Sequence, residues 1–249
     1  MKILVCLKMV SKSTYADDLP ESAAADRLSC GQLELNPADA YALEMALKIK
    51  DRDPHTRVSV ITMAPKTGDQ ILRTALAMGA DSACHISDRA YAGSDTIASA
   101  AVISGAIRTL GGFDLILCGK KAIDSETGHI GPQLAQALDI PFLSSVLSFK
   151  TEEGFVSAVR AQNDGTAEYR CSYPVLLTVI NGTGMVRTPT IMGLRRAKSA
   201  EIPVIDSTAI NAVSSGTETV SVIELNFAHR KGTRETDVER GTEGLVRLL

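Results

Sequence analysis

Apolar positions along the chain fall in short unbroken runs: KILVCLKMV at residues 2–10, RVSVITMA at 57–64, SACHIS at 82–87 and DLILCG at 114–119. A strand covered on both faces reads this way, whereas a half-exposed antiparallel strand alternates apolar and polar residues. Between the runs, apolar residues recur at helical spacing. Asn36 is placed to cap PADAYALEMALKIKD, with Pro37 at the first helical position and Leu43, Ala46 and Leu47 on one face. Asp69 and Thr67 can open QILRTALAMG, which closes on Gly79, and a third helix runs from a cap at Ser94 or Asp95 to Gly111. Strand alternating with helix predicts an α/β fold: a doubly wound, mostly parallel sheet with right-handed crossovers.

The rhythm changes after about residue 145. SVLSFKTEEGFVSAVRAQNDGTAEYRCSYPVLLTV reads as short strands joined by turns at EEG and NDG, the latter a strong hairpin signal. The expectation is a small β-hairpin insert near 146–172, with PVLLTVI (174–180) rejoining the main sheet. Residues 1–204 then form one nucleotide-binding domain. From residue 205 to 249 the chain is rich in Ser, Thr, Glu and Gly, and is expected to be an arm that orders by wrapping a partner.

Composition narrows the function. A formal charge of −3 over 249 residues argues against a general nucleic-acid binder, and 4% aromatic residues without Trp argue against base-stacking platforms. No run of about 18 apolar residues predicts a membrane span, and MKILVCLKMV is too short and strand-like for a signal peptide. Five scattered cysteines, Cys6, Cys30, Cys84, Cys118 and Cys171, form no CxxC pair and suit reduced thiols in a cytoplasmic protein.

Ligands of open α/β sheets collect outside the carboxyl ends of the strands. Four loops are expected there: KMVSKS, LNPAD, TMAPKTGD and CGKKAIDSETGHIGP. They are rich in small, polar and turn residues, suited to holding a nucleotide through backbone amides and hydroxyls. Gly119 permits close backbone approach, and Thr127 with Gly128 is placed to begin a helix whose positive end favours an anion. The dinucleotide GxGxxG, the P-loop GxxxxGK[ST] and the hydrolase GxSxG are all missing. His55, His85, His129 and His229 lack metal-ligand spacing; His85 reads as a core residue, and His129 sits in the polar loop. Asp124 and Glu126 suit capping or ribose binding better than acid–base work. No catalytic residue and no metal site are expected.

LNPADAYALEMALKIKD, TALAMGAD, GKKAIDSETGHIGPQLA, PVLLTV and PTIMGLRRAK occur in one order that resembles the β subunit of electron transfer flavoproteins, over about residues 1–203. The resemblance implies a heterodimer with an α subunit that carries a redox-active FAD. The pair would move electrons between dehydrogenases, often acyl-CoA dehydrogenases, and a quinone reductase or ferredoxin. The β subunit's own site holds AMP in the simple branch and a second FAD in the electron-bifurcating branch. Asp124, Glu126, Thr127, Gly131 and Pro132 fit the FAD-holding pattern, with Gly128 and His129 where AMP-holding subunits carry an Asn/Gln-containing continuation.

The resemblance places Leu7 and Lys8 at the exit of the first strand, Asn36 at the helix cap, Thr62 and Met63 against the adenine, and Asp124, Thr127 and Ile130 around phosphate and ribose. Gly119, Gly128, His129 and Gly131 complete the expected cofactor loop. Arg160 falls at the family's V-E-R arginine, but Val159 precedes it instead of glutamate. GMVRTPTIMG corresponds to the partner-recognition loop, expected to be exposed and flexible, with Thr188, Pro189, Arg195 and Arg196 as docking residues. Many relatives carry a leucine anchor at the position of Thr188. The competing class is a universal-stress-type regulatory nucleotide-binding protein, which needs neither insert nor arm.

Overall fold

The computed structural model describes residues 1–11, 33–180, 182 and 184–217. One nine-stranded sheet runs through it. Its central strands are β1 (Lys2–Leu7), β4 (Arg57–Met63), β5 (Ser82–Ile86), β6 (Leu115–Gly119) and β10 (Val175–Val179). Beyond them lie β7 (Phe142–Thr151), β8 (Phe155–Gln162), β9 (Gly165–Ser172) and the two-residue β11 (Val204–Ile205), in the order β11-β5-β4-β1-β6-β10-β7-β8-β9. Only the β7–β8 and β8–β9 pairs are antiparallel. The short strands β2 (Met9–Ser11) and β3 (Leu33–Leu35) form a separate antiparallel ribbon.

Helices cover both faces, as double winding requires. On one face α1 (Pro37–Arg52), α2 (Asp69–Met78) and α5 (Ile191–Ser199) bury Ala42, Leu43, Leu47, Ile71, Leu72 and Ala197 against Ile3, Val5, Val58 and Leu117. On the other, α3 (Thr96–Leu110) and α4 (Ile130–Leu138) bury Val102, Ile107 and Leu134 against Leu4, Ile61, Ile116 and Leu176. Alternate residues of β1 and β6 thus serve opposite cores, and this explains their unbroken apolar runs. Asp95 caps α3 by accepting from Ala98 N, and Gly79 closes α2 with a φ of +130°, which L side chains rarely adopt.

Four expectations are corrected. The first strand ends at Leu7 rather than residue 10, because Met9–Ser11 turns away to pair with β3. The expected hairpin near 146–172 is a three-stranded meander from Phe142 to Ser172 that extends the main sheet, because β7 runs parallel to β10. Asn36 does not cap α1 with its side chain, which is engaged elsewhere. Lastly, residues 205–217 already have a place on this chain. His85 N donates to Pro203 O and Ser87 N to Ile205 O, at 2.9 and 3.0 Å. Asp88 accepts from Ser207 N and Oγ at 3.0 and 2.7 Å, Tyr91 Oη donates to Ile210 O at 2.6 Å, and Asp95 accepts from Gly216 N at 2.8 Å. Residues 218–249, where the rest of the expected arm falls, lie outside the described residues.

This strap depends on two carboxylates. Hydrogen bonds from Ala90 and Ser207 hold Asp88 down at about 2, so its grip is complete above the ordinary 3.8 and is lost only as pH falls toward 2. Alanine at both Asp88 and Asp95 should therefore speed proteolytic cleavage within 206–217 at neutral pH by about ten-fold. Unchanged cleavage would show that β11 pairing and the packing of Ile210 near Gly105 suffice alone.

Candidate functional site

The strand order reverses direction between β1 and β6. From β1 the chain moves through β4 to β5 on one side, then crosses to β6 on the other, which leaves a crevice where the carboxyl ends of β1 and β6 diverge. Asp39, in the first turn of α1, spans this crevice. Its Oδ2 accepts from Lys8 N at 2.8 Å and its Oδ1 from Gly119 N at 2.7 Å. The residue is only 6% exposed. Burial pushes its carboxyl up from 3.8 to about 6, against the lowering effect of the backbone donors Gly119 and Lys8, the Asn36 side chain and the Lys8 charge. A glycine is required at 119, since a Cβ there would lie 2.5 Å from Asp39 Oδ1 and 2.6 Å from Ala38 Cβ.

Asn36, 1% exposed, fastens the next layer. Its backbone N donates to Lys8 O at 2.9 Å, its Nδ2 to Lys121 O at 3.2 Å, and its Oδ1 accepts from Ile123 N at 3.3 Å. The asparagine thus ties the loop after β1 to the loop after β6 instead of capping its own helix. Thr62 Oγ1 donates to Leu7 O at 2.8 Å and joins the β4 exit to the same floor, with Met63 partly exposed beside it. Lys8 Nζ reaches Asp124 at 2.6 Å and Ser125 Oγ at 3.2 Å.

The loop quoted from the sequence as IDSETGHIG stands over this floor. It turns through Glu126 at φ +52° and Gly128 at φ +65°, and Glu126 also pairs with Lys121 at 2.7 Å. The helix begins at Ile130, with His129 at its cap position, rather than at Thr127 and Gly128 as expected. The first-turn N–H groups of α4 have no acceptor within the helix, and Pro132 carries none. They make an anion-favouring end beside the exposed Thr127 and His129. Gly131 lets α4 pack close to β10: a Cβ there would lie 2.3 Å from Thr178 Cγ2.

Leu7, Thr62, Met63 and Gly119 end their strands, Lys8, Asn36, Asp124, Thr127, Gly128 and His129 lie between elements, and Ile130 and Gly131 open α4, so all twelve stand at the carboxyl end of the sheet. Asp39 was missed. It sits inside a helix-like pattern in LNPADAYALE, and only its place two residues after the Asn-Pro pair sets it apart. The floor donors are spent within the protein, and the groups that face outward, the Thr127 side chain and the first-turn amides of α4, are of the kind that suit an anion. His85 is buried with Nε2 3.0 Å from Ala64 O, a satisfied core residue. A concavity of about 620 Å³ lined by Lys2, His55 and Arg57 lies at the opposite, amino-terminal end of the strands, away from the crevice.

Residues 31–210 match the family model described as the electron transfer flavoprotein domain. The chain belongs to the electron transfer flavoprotein family. It is 37% identical over 218 residues to the electron transfer flavoprotein subunit beta of Megasphaera elsdenii, covering 85% of this chain and 80% of that one. It is 37% identical to the caffeyl-CoA reductase-Etf complex subunit CarD of Acetobacterium woodii, over 82% and 78% of the two chains. The acryloyl-CoA reductase electron transfer subunit gamma of Anaerotignum propionicum is 35% identical, over 84% and 79%. An electron-transfer role follows, and the stress-protein alternative finds no support among these relatives.

The segment expected to dock a partner, GMVRTPTIMG and the residues to Lys198, is not a loop throughout. Ile191–Ser199 forms α5, capped by Thr190 Oγ1 accepting from Gly193 N at 2.9 Å. Gly193 serves close packing, since a Cβ there would lie 2.1 Å from Ala77 O of α2. Arg73 Nη1 donates to Ala197 O at 2.6 Å, and Arg196 Nη2 to Leu76 O at 3.4 Å. Thr188 and Arg195 are exposed and Pro189 half-buried. The apolar side chains that stand out are Met185, Ile191, Met192 and Leu194, at 89%, 74%, 72% and 53% exposure. Among the described residues, no helix is long and apolar enough to cross a membrane.

Proposed function

We propose that this chain is the β subunit of a heterodimeric electron carrier, with FAD in its switch-point site and an acyl-CoA dehydrogenase among its partners. The observation that carries the cofactor reading is the loop over the crevice, where a positive-φ glycine and the free N–H end of α4 converge above a floor fixed by Asp39 and Asn36. Lys8, Thr127 and the amides of α4 would hold phosphate, and Asp124 would meet a ribose hydroxyl or brace the loop. Bound flavin supplies the redox chemistry; this chain contributes binding and orientation and no catalytic side chain. The α subunit would carry its own flavin, and ferredoxin or a quinone reductase is the class of acceptor.

Docking follows from the apolar ridge. Ile191 and Met192 take the anchoring place that Thr188, polar and short, does not fill, while Arg195 and Lys198 beside them suit an acidic partner face. Arg196, partly spent on Leu76 O, contributes less. A cytoplasmic location accords with the free thiols of Cys6, Cys84, Cys118 and Cys171.

The test is the cofactor count of the purified heterodimer. Two flavins per dimer are expected; one flavin and one AMP would overturn the FAD assignment. Thr127→Val, which removes a hydrogen bond to a charged group, should weaken binding at this site by about 10- to 150-fold and spare the α-subunit flavin. Retention of both flavins at native affinity would move the phosphate elsewhere.

A further inference from the structure

Arg187 lies at the root of the apolar ridge rather than on it, and it forms ion pairs with two carboxylates. Its backbone N and Nε donate to Glu44 Oε2 at 3.1 and 2.8 Å, and Nη2 to Glu44 Oε1 at 3.1 Å. On its other side Nη2 and Nη1 donate to Asp51 Oδ2 and Oδ1, at 2.6 and 3.4 Å. Both carboxylates belong to α1. The Glu44 side chain is 4% exposed, so its charge is tolerated there only because it is paired. Lys48 Nζ, 3.9 Å away, is its other cation.

A planar fork held by one carboxylate at two points, with the backbone N of the same residue bound to it as well, and by a second carboxylate almost two turns along the same helix, has little freedom to rotate. The chain just before it is equally constrained. A Cβ at Gly182 would lie 2.1 Å from Tyr41 Oη, so the backbone crosses directly over α1. The first turn of α1 carries Asn36 and Asp39, which form the floor of the crevice. The ridge root and the crevice floor are therefore fixed to one rigid element, and α5, which carries Ile191, Met192 and Leu194 of the ridge, is seated on α2.

We propose that Arg187 is a positioning residue for partner docking: through Glu44 and Asp51 it sets where residues 185–192 stand relative to the nucleotide floor. Glutamate at 44 in the middle of an otherwise apolar helix face is thereby accounted for, since an alanine there would pack as well but hold nothing. The proposal rests on the docking role of the ridge, and the two are separable by experiment.

In the intact heterodimer, Arg187→Met and the gentler Glu44→Gln should raise amide hydrogen exchange at 185–192 by about ten-fold or more while exchange in β1, β4 and β6 is unchanged. The half-saturating concentration of a short-chain acyl-CoA dehydrogenase should rise about ten-fold at unchanged kcat and unchanged flavin content. Arg187→Lys, which restores charge without the fork, should recover only part of the affinity. Native exchange at 185–192 in Glu44→Gln and Asp51→Asn together, or a fall in kcat at constant half-saturation, would overturn the positioning role. If Arg187→Met does not fold, those two variants decide the matter. Ile191→Asp with Met192→Asp tests the ridge itself: unaltered half-saturation there sinks the docking reading, while the exchange result still judges Arg187.

Discussion

Alanine at Asp39 is expected to leave the chain about as stable as before and yet strip it of nucleotide. Two effects oppose each other. Loss of the carboxylate leaves the N–H groups of Lys8 and Gly119 without their acceptor, at a cost of about 1–3 kcal/mol each. Against that, burial of the charged group is relieved. A carboxyl displaced from 3.8 to about 6 is disfavoured in the native state at neutral pH by about 3 kcal/mol. The sum is near zero to modestly destabilising. The binding consequence has no such offset, because Asp39 joins the β1 and β6 exits beneath the layer that Asn36 fastens, and displacement of positioned groups by about 1 Å can cost on the order of 100-fold. Denaturant midpoints and nucleotide titration of the same variant check both halves. A large stability loss with native affinity would refute the argument.

The pH dependence has a defined sign. The folded chain holds the Asp39 proton more tightly than the unfolded chain, so this group favours folding most below 3.8, and that contribution is lost as pH rises to about 6. Asp51, Asp88 and Asp95 are shifted the opposite way and lose their contributions as pH falls below the usual carboxylate range. Asp39→Ala should flatten the stability profile between about pH 4 and 6 and leave the acid limb in place.

The second large effect is expected at the ridge. Ile191→Asp with Met192→Asp should raise the half-saturating concentration of the dehydrogenase by about 30-fold or more, the loss of one central apolar anchor being worth about 2 kcal/mol or more. Both side chains are more than two-thirds exposed, so thermal stability should move by no more than about 0.5 kcal/mol. Flavin content should not change. The new acids would also repel an acidic partner face, so part of the defect should fade in high salt. A double variant that docks normally would exclude the ridge as the contact.

Sheet and helices were legible because their signals are local: an unbroken apolar run and a capped periodic segment each announce themselves within a dozen residues. The meander was recognised from NDG and EEG but placed apart from the sheet, since nothing within 142–172 shows that β10, made later, will lie between β6 and β7. The loop with Asp124, Thr127 and Gly128 was legible as turn chemistry. Its helix start was read too early, because Gly128 at φ +65° continues the turn before Ile130 can begin α4. Asp39 and Glu44 escaped notice for a different reason. A buried carboxylate inside a helix looks like any surface acid until its partners, Lys8 and Gly119 or Arg187, are brought in from 31, 80 and 143 residues away. The exposed apolar side chains of this segment fall not at Thr188 but at Met185, Ile191 and Met192, the last two following the cap at Thr190.

The late arrival of β10 also bears on how the protein can be made. Val175–Val179 pairs with β6 on one side and β7 on the other, so a ribosome-bound chain that ends before it holds two half-sheets without a joint. The outer edge of β6 stays open throughout that interval, and β7, β8 and β9 can form only a meander of their own. An unpaired apolar strand edge is what invites association between chains. The interval of greatest exposure in biosynthesis is therefore set by one five-residue strand.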